Sequence, residues 1–216
     1  MHFEFLVEDS SGKALLRHLV PKAIGPLGGP HTWRLIDYRG VGRIPSNLLG
    51  KSDPQKRILL QRLPKLLQGY GKTSGIDAVV IVLDADRRDC KEFLRELNAL
   101  AASCKSSPKP LFRLAIEEIE AWYFGDRKAL LKAYPKAKKL VLDGYVQDGI
   151  CGTWETLADA VYPGGSLKLN KTGWPAPGRM KHEWANKIGP FMELDRNKSP
   201  SLVKFCMGLR RLVDGG

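Results

Sequence analysis

The sequence predicts an α/β protein with a mostly parallel sheet flanked by helices and a loop-rich, helical C-terminal extension. The main observation is an apolar, valine-rich run over residues 78–83 that shows no alternation. Such runs are typical of strands covered on both faces in the middle of a parallel sheet. Residues 2–8 and 111–116 also have strand composition, and a helical pattern follows each of the three segments. Strands that alternate with helices favour a parallel sheet.

The N-terminal part of the chain predicts a strand, an acidic turn and a helix. Residues 2–8 alternate apolar and polar side chains, and the predicted strand ends in Glu8. Ser10 or Ser11 is a suitable N-cap for the helix that follows, and Pro21 lies near the expected helix end. The next segments are predicted as a strand over residues 32–38 and a helix over residues 55–67, in which Pro64 should cause a kink or end the first half.

The rest of the chain divides into helices and long connections. We predict helices over residues 91–104 and 126–134, and we interpret residues 143–178 as loops or a small subdomain with one helix over residues 154–161. Two helices, 181–188 and 200–213, complete the chain, the second with Ser199 as its cap and Pro200 in its first turn. The predicted organisation is an α/β core over residues 1–134 and a C-terminal part over 135–216 packed on the same core.

Composition limits the class of protein. The 216 residues are enough for one substantial core. No apolar run approaches the roughly 18–20 residues of a membrane span, and the first residues lack the pattern of a signal peptide. The scattered cysteines have no metal-ligand spacing and are typical of reduced thiols, which predicts a cytoplasmic protein. They are Cys90, Cys104, Cys151 and Cys206.

Charge points to the kind of partner. The formal net charge is +12, which favours a polyanion, with nucleic acid first and an acidic protein second. The sequence leaves open whether the chain forms a homo-oligomer. A solvated surface is the alternative interpretation of the basic clusters. The candidates for contact with nucleic acid are Lys13, Arg87, Arg88, Lys136, Lys138 and Lys139.

Carboxylates follow three of the predicted strands. Glu8 ends the first strand, Asp84 and Asp86 end the central strand, and Glu118 and Glu120 follow the strand over residues 111–116. Ligands of open α/β sheets bind beyond the carboxyl ends of the strands, and hard divalent cations prefer oxygen ligands. A helix cap and a solvated turn are the alternative roles for the two aspartates. Acidic groups at three strand ends favour a shared metal site.

Two geometric expectations accompany this site. Strand alternation would direct Asp84 and Asp86 to the same side of the sheet. In the segment after the last predicted strand, Ile119 and Trp122 should pack inward while the glutamates around them face outward.

The order of these motifs resembles the Toprim domain of topoisomerases, primases and the overcoming-lysogenization-defect nucleases. That signature is a glutamate at the end of the first strand and Asp-x-Asp at the end of a later one. The chain is more closely similar to a Toprim-like family known as domain of unknown function 4276, over nearly its whole length. The matching residues are Val7-Glu8, Leu83 to Asp86, Glu118 to Trp122 with Asp126, Gly152 to Glu155, Lys181, Trp184-Ala185 and Asn197 to Ser201.

The resemblance implies a Rossmann-like fold and a metal-dependent nuclease site. It implies Mg²⁺ or Mn²⁺ held by Glu8, Asp84 and Asp86, with Glu118 and Glu120 holding a second ion or orienting waters. Asp9 stands where Toprim proteins commonly have glycine, so the first turn can differ in shape.

Two functions are consistent with this pattern. The first is a Mg²⁺-dependent nuclease, as the effector of an anti-phage defence system whose separate ABC-type or AAA-type ATPase would supply the Walker motif that this chain lacks. Lys181 is the first candidate for stabilising the transition state and Lys13 the second, and a plain surface lysine is the alternative role of Lys181. The second is a non-catalytic subunit that binds nucleic acid or the ATPase. A pure binder of polyanions gains nothing from five carboxylates facing its ligand, which favours the nuclease.

Overall fold

The computed structural model describes residues 1–45, 55–104, 108, 110–149 and 152–215, so Cys151 lies outside it. Its strands are β1 (His2–Val7), β2 (Thr32–Asp37), β3 (Ala78–Asp84) and β4 (Leu111–Ala115). They form one sheet in the order β2-β1-β3-β4, and every neighbouring pair is parallel. The predicted α/β class with a parallel sheet flanked by helices is confirmed, and the arrangement is Rossmann-like.

Helices cover both faces of this sheet and continue beyond β4. Within the described ranges, none of them combines the length and the apolar character that a membrane span requires. Short 3-10 helices lie at Gly189–Phe191 and Leu194–Arg196. The α-helices are α1 (Ser10–Ile24), α2 (Leu59–Tyr70), α3 (Cys90–Ser103), α4 (Ala121–Gly125), α5 (Arg127–Ala133), α6 (Lys139–Gly144), α7 (Thr153–Val161), α8 (Gly165–Lys171), α9 (Ala176–Ile188) and α10 (Pro200–Asp214).

The unbroken apolar run of β3 follows from burial on both faces. Val80 and Val82 point into a core that includes α1, α9 and α10. Val79 and Ile81 point into a second core, formed with α2 and α3. Because successive side chains of a strand face opposite ways, both sets must be apolar.

The C-terminal helices pack on the same sheet. Helix α9 lies against α1, and α10 lies against β4. Trp184 of α9 and Leu209 of α10 are fully buried in the core that also holds Phe3 and Phe5 of β1. This packing brings residues after position 150 to the carboxyl edge of the sheet.

Several predicted boundaries are wrong. Helix α2 begins four residues later than predicted and passes through Pro64 to Tyr70, because its buried leucines pack on the sheet and outweigh one missing hydrogen bond. Helix α1 is capped by Asp9 rather than by Ser10 or Ser11, whereas its end at Ile24 lies near Pro21 as predicted. The cap of α10 by Ser199 is confirmed.

Within residues 135–178, the helices α6 and α8 were not predicted. Helix α9 also starts at Ala176, five residues before the predicted position. Pro177 and Gly178 in its first turn are typical of loops and therefore do not predict a helix, although proline is well tolerated in a first turn. The connection is therefore more helical than its glycine and proline content indicates.

Candidate active site at the carboxyl edge of the sheet

The carboxyl ends of β1, β3 and β4 meet at one edge of the sheet, where the acidic residues gather. Glu8 follows β1 and Asp84 is the last residue of β3. The Asp84 backbone N–H donates to Glu8 Oε2 at 3.3 Å, and the Ile119 N–H donates to Asp84 Oδ1 at 2.9 Å. Hydrogen bonds through these carboxylates therefore join the ends of all three strands.

The first turn of α1 is held close to this edge. Gly12 faces β1, and a β-carbon at this position would lie 2.7 Å from Cγ1 of Val7. Asp9 caps the helix, since its Oδ1 accepts the Gly12 N–H at 2.8 Å. The sequence shows the N-cap pattern only in part, because the serines that follow Asp9 are equally good caps.

Glu8 and Asp84 carry more negative charge than their surroundings neutralise. Burial raises the pKa of Glu8 to about 7, and the nearby Asp86 and Asp9 add to this effect. Burial, followed by repulsion from Glu8 and Glu120, raises the pKa of Asp84 well above its usual range. At neutral pH such a pair must hold a proton or face a cation.

Glu120 is the most exceptional member of the cluster. Its side chain is fully buried, and neither carboxylate oxygen accepts a hydrogen bond from a described residue. Burial raises its pKa to about 7; Lys181 opposes this shift and Glu118 adds to it. A carboxylate in this state is costly unless a cation or a proton satisfies it.

Lys181 supplies the positive charge inside the cluster. Its Nζ, from α9, lies 3.0 Å from Glu118 Oε1 and 3.5 Å from Glu120 Oε2. Burial alone would lower the pKa of Lys181, but Glu120, Glu118 and Asp84 outweigh that effect and raise it. The lysine is therefore firmly protonated and is not a plain surface residue, with 18% of its side chain exposed.

The expectation that the glutamates of residues 117–120 face outward is wrong. Glu117 and Glu120 are buried and Glu118 is half-buried. The carboxylate of Glu117 accepts the N–H groups of Gly152 and Thr153 and the Thr153 hydroxyl, which anchors the start of α7. The reason is that the segments after residue 150 cover this edge and provide donors that the local sequence cannot reveal.

Strand alternation was expected to direct Asp86 to the same side of the sheet as Asp84, but Asp86 lies outside the strand. Strand β3 ends at Asp84, and Asp86 has a left-handed backbone with φ +51° and an exposed side chain. Strand alternation therefore does not extend to Asp86. It still lies close enough to Glu8 to raise the pKa of that carboxyl.

The predicted basic contacts are dispersed. Lys13 pairs with Asp37 at 2.7 Å. The Arg88 guanidinium lies 4.5 Å from the centre of the Phe93 ring, and Arg87 is exposed. Three exposed lysines lie near the start of α6 and line no part of the cleft described below: Lys136, Lys138 and Lys139.

A cleft of about 1530 Å³ opens beside Glu8 and Lys181. Its walls include residues that the sequence did not identify as candidate site residues, because segments distant in the chain bring them together only in the folded structure. The most relevant are Arg39, Trp154, Trp174 and Arg179.

The acidic residues fit a hard divalent cation in their chemistry, since the donors are carboxylate oxygens and those of Glu120 accept no hydrogen bond from a described residue. In the described part of the chain, no three acidic, histidine or cysteine side chains converge on a single metal position. In this structure the ammonium of Lys181 balances part of the charge.

Comparison with known proteins adds no relative. The chain matches no family model, no curated protein and no solved structure. The Toprim resemblance therefore rests on the sequence motifs alone.

Proposed function

We propose that the protein is a Mg²⁺-dependent nuclease that hydrolyses nucleic-acid phosphodiesters at the carboxyl edge of its sheet. The observation that carries this proposal is the carboxylate cluster of half-buried Glu8 and Asp84 with buried Glu120, whose charge Lys181 balances only in part. Stable folds rarely keep such groups without use, because each is costly to bury. Glu8 and Lys181 line a large cleft, and the protein has a net charge of +12.

Glu8 and Asp84 are the residues we assign to hold the cation, with Asp86 on the exposed side and Glu120 on the buried side. When bound, Mg²⁺ or Mn²⁺ supplies an activated water and neutralises developing charge on the phosphate. The raised pKa values of Glu8 and Glu120 have a direct consequence: a cation competes with protons for these groups, so loading should improve as pH rises through 7.

Lys181 is the residue we assign to the phosphate. Glu118 holds its ammonium at 3.0 Å, and Glu118 is itself oriented by the Trp154 N–H at 3.0 Å. A protonated ammonium fixed in this way can donate to a phosphate oxygen, and its charge is most useful where negative charge increases during hydrolysis. Glu118 is in this assignment a positioning residue for Lys181.

One observation favours a second function, a non-catalytic subunit that binds nucleic acid or a partner ATPase. Lys181 already contacts Glu118 and Glu120, so the cluster has a cation of its own. The nuclease explains more, because the charge of Glu8 and Asp84 is at most partly compensated. In the proposed cellular setting the protein is cytoplasmic, its thiols Cys90, Cys104 and Cys206 are free, and ATP-driven control in anti-phage defence comes from another chain.

The test is a cleavage assay with plasmid, single-stranded DNA and tRNA in Mg²⁺ or Mn²⁺. Asp84→Asn and Glu8→Gln should each reduce cleavage at least about 100-fold, the scale known for removing one essential electrostatic group. Asp143→Asn is the matched control, since this aspartate lies on α6 and is 67% exposed. Cleavage that persists in both site variants would overturn the assignment. A wild type that binds nucleic acid without cleaving it, with or without an ATPase, would favour the non-catalytic function.

A further inference from the structure

We propose that the cleft binds single-stranded nucleic acid, with Trp174 as a base-stacking platform at its outer rim. This inference rests on the proposed function, because it names the substrate class of the same site. It is carried by the aromatic and cationic groups along the cleft walls, which the carboxylate chemistry does not use.

Trp174 is exposed to an unusual degree for so large an apolar side chain, at 84%. It precedes α9 and lines the cleft. A β-carbon on Gly178 would lie 3.2 Å from Cη2 of Trp174, so the glycine allows the indole to rest on the first turn of α9. The ring is thus supported from the protein side while most of its surface stays in water.

A second indole lies deeper in the same cleft. Trp154 is half-buried, and its ring centre is 5.8 Å from the Lys181 ammonium. The two tryptophans therefore mark the outer rim and the end next to the carboxylates. Aromatic side chains placed along a groove bind single strands, because unpaired bases can stack on them whereas the bases of a duplex are already stacked.

The cations of the cleft suit a phosphate backbone. Arg39 and Arg179 are exposed in its walls, and within the described ranges neither forms an ion pair. Two of the acidic groups in the walls are neutralised locally, since Asp37 pairs with Lys13 at 2.7 Å and Glu183 pairs with Lys187 at 2.6 Å. Guanidinium groups without a protein partner remain available to phosphates.

The size of the cleft agrees with a segment of polymer. Its volume of about 1530 Å³ exceeds the about 300–1,000 Å³ of typical small-molecule sites. A single strand could lie between the two tryptophans with its backbone on the arginines and one phosphodiester next to Glu8 and Lys181.

The test is fluorescence anisotropy in EDTA, which stops metal-dependent cleavage and separates binding from catalysis. The probes are a labelled thymidine oligonucleotide of about 16 nucleotides, the matching uridine RNA, and a blunt duplex of equal length. Wild type should prefer a single strand to the duplex at least about tenfold. Trp174→Ala should weaken single-strand binding at least about fivefold, in line with the loss of one stacked base.

Leu140→Ala is the control, because Leu140 is 87% exposed on α6 and lies outside the cleft. It should leave all affinities within about twofold of wild type, and Trp174→Phe should recover most of the single-strand binding. Equal affinity for single strand and duplex, or unchanged single-strand binding in Trp174→Ala, would overturn the inference. Single-strand binding without cleavage in Mg²⁺, both with and without a partner ATPase, would instead contradict the nuclease and leave the binding proposal supported.

Discussion

Two buried carboxylates in this molecule, Asp126 and Glu120, have opposite surroundings. The oxygens of Asp126 accept hydrogen bonds from the Arg196 guanidinium at 3.1 and 3.0 Å and from the Glu193 and Ala129 N–H groups. Burial alone would raise the pKa of Asp126, but these donors outweigh it and lower the pKa. Glu120 accepts no hydrogen bond from a described residue, and its pKa is raised to about 7.

The difference separates a structural acid from a candidate functional one. Both residues belong to the motif that resembles the Toprim-like family, and both are almost fully buried. Burial therefore does not distinguish them. What distinguishes them is whether the described residues supply hydrogen-bond donors, which they do for Asp126 and do not for Glu120.

The largest effect should come from breaking the satisfied site. Asp126→Ala removes the cap of α5, two contacts to Arg196 and the acceptor for the Glu193 N–H. We expect a loss of about 3 kcal/mol in the free energy of unfolding, measured by urea denaturation.

Asp143→Ala is the control for this change, since the Asp143–Arg127 pair is exposed and should contribute less than about 1 kcal/mol. If both variants lost equally little stability, Asp126 would not be the structural acid of the comparison.

The next effect concerns Lys181. Among the described residues, it is the only cation that forms an ion pair with Glu118 and Glu120. Replacing Lys181 by Met keeps most of the side-chain volume and removes the charge. If the ammonium acts on the phosphate, cleavage should fall about 100-fold at every Mg²⁺ concentration. If it only neutralises Glu118 and Glu120, raising Mg²⁺ should restore the activity, and the proposed role would be wrong.

The pH dependence of stability should differ in sign between the two sites. The folded pKa of Glu120 is about 7 against an ordinary 4.5, so the folded state keeps a proton that the unfolded state releases between these values. The stabilisation is present below pH 4.5 and is lost as pH rises through 7. In metal-free buffer, the decline from pH 4.5 to 8 should be smaller in Glu120→Gln by about 3 kcal/mol.

Asp126 provides the opposite behaviour, because its folded pKa is lowered. Its contribution is present above the ordinary value and is lost as pH falls below it. The destabilisation of Asp126→Ala should therefore shrink under acid conditions.

Equal pH profiles of stability for the wild type and Glu120→Gln would contradict the prediction for Glu120, because they would show that Glu120 is not the titrating group.

The sequence predicts the sheet and the positions of Glu8 and Asp84 well, for a physical reason. Burial on both faces requires the apolar run of β3, and parallel strands bring their carboxyl ends to one edge. Both facts depend on short segments of sequence. The prediction of Ser10 or Ser11 as the N-cap of α1 is wrong, because the neighbouring Asp9 has similar capping chemistry and takes that position.

The inward direction of Glu118 and Glu120 could not be predicted from local sequence. It depends on α7 and α9, which approach the strand end from residues 153–188 and bring Lys181 and the Trp154 N–H to the glutamates. The glycine and proline content of that part of the chain indicates loops, so its helices are not predicted from the sequence. The position of Trp174 on the cleft rim depends on the same packing.

The smallest expected effect extends the comparison from acids to arginines. Arg196 is engaged by Asp126 and Glu193, whereas Arg179 lines the cleft and forms no ion pair within the described ranges. Arg179→Gln should weaken single-strand binding a few-fold and reduce the slope of log affinity against log salt by about 0.7, the value for one phosphate contact. Arg196→Gln should lower the unfolding temperature and leave that slope unchanged. Anisotropy titrations between low and moderate salt would measure both slopes, and an unchanged slope in Arg179→Gln would remove this arginine from the binding cleft.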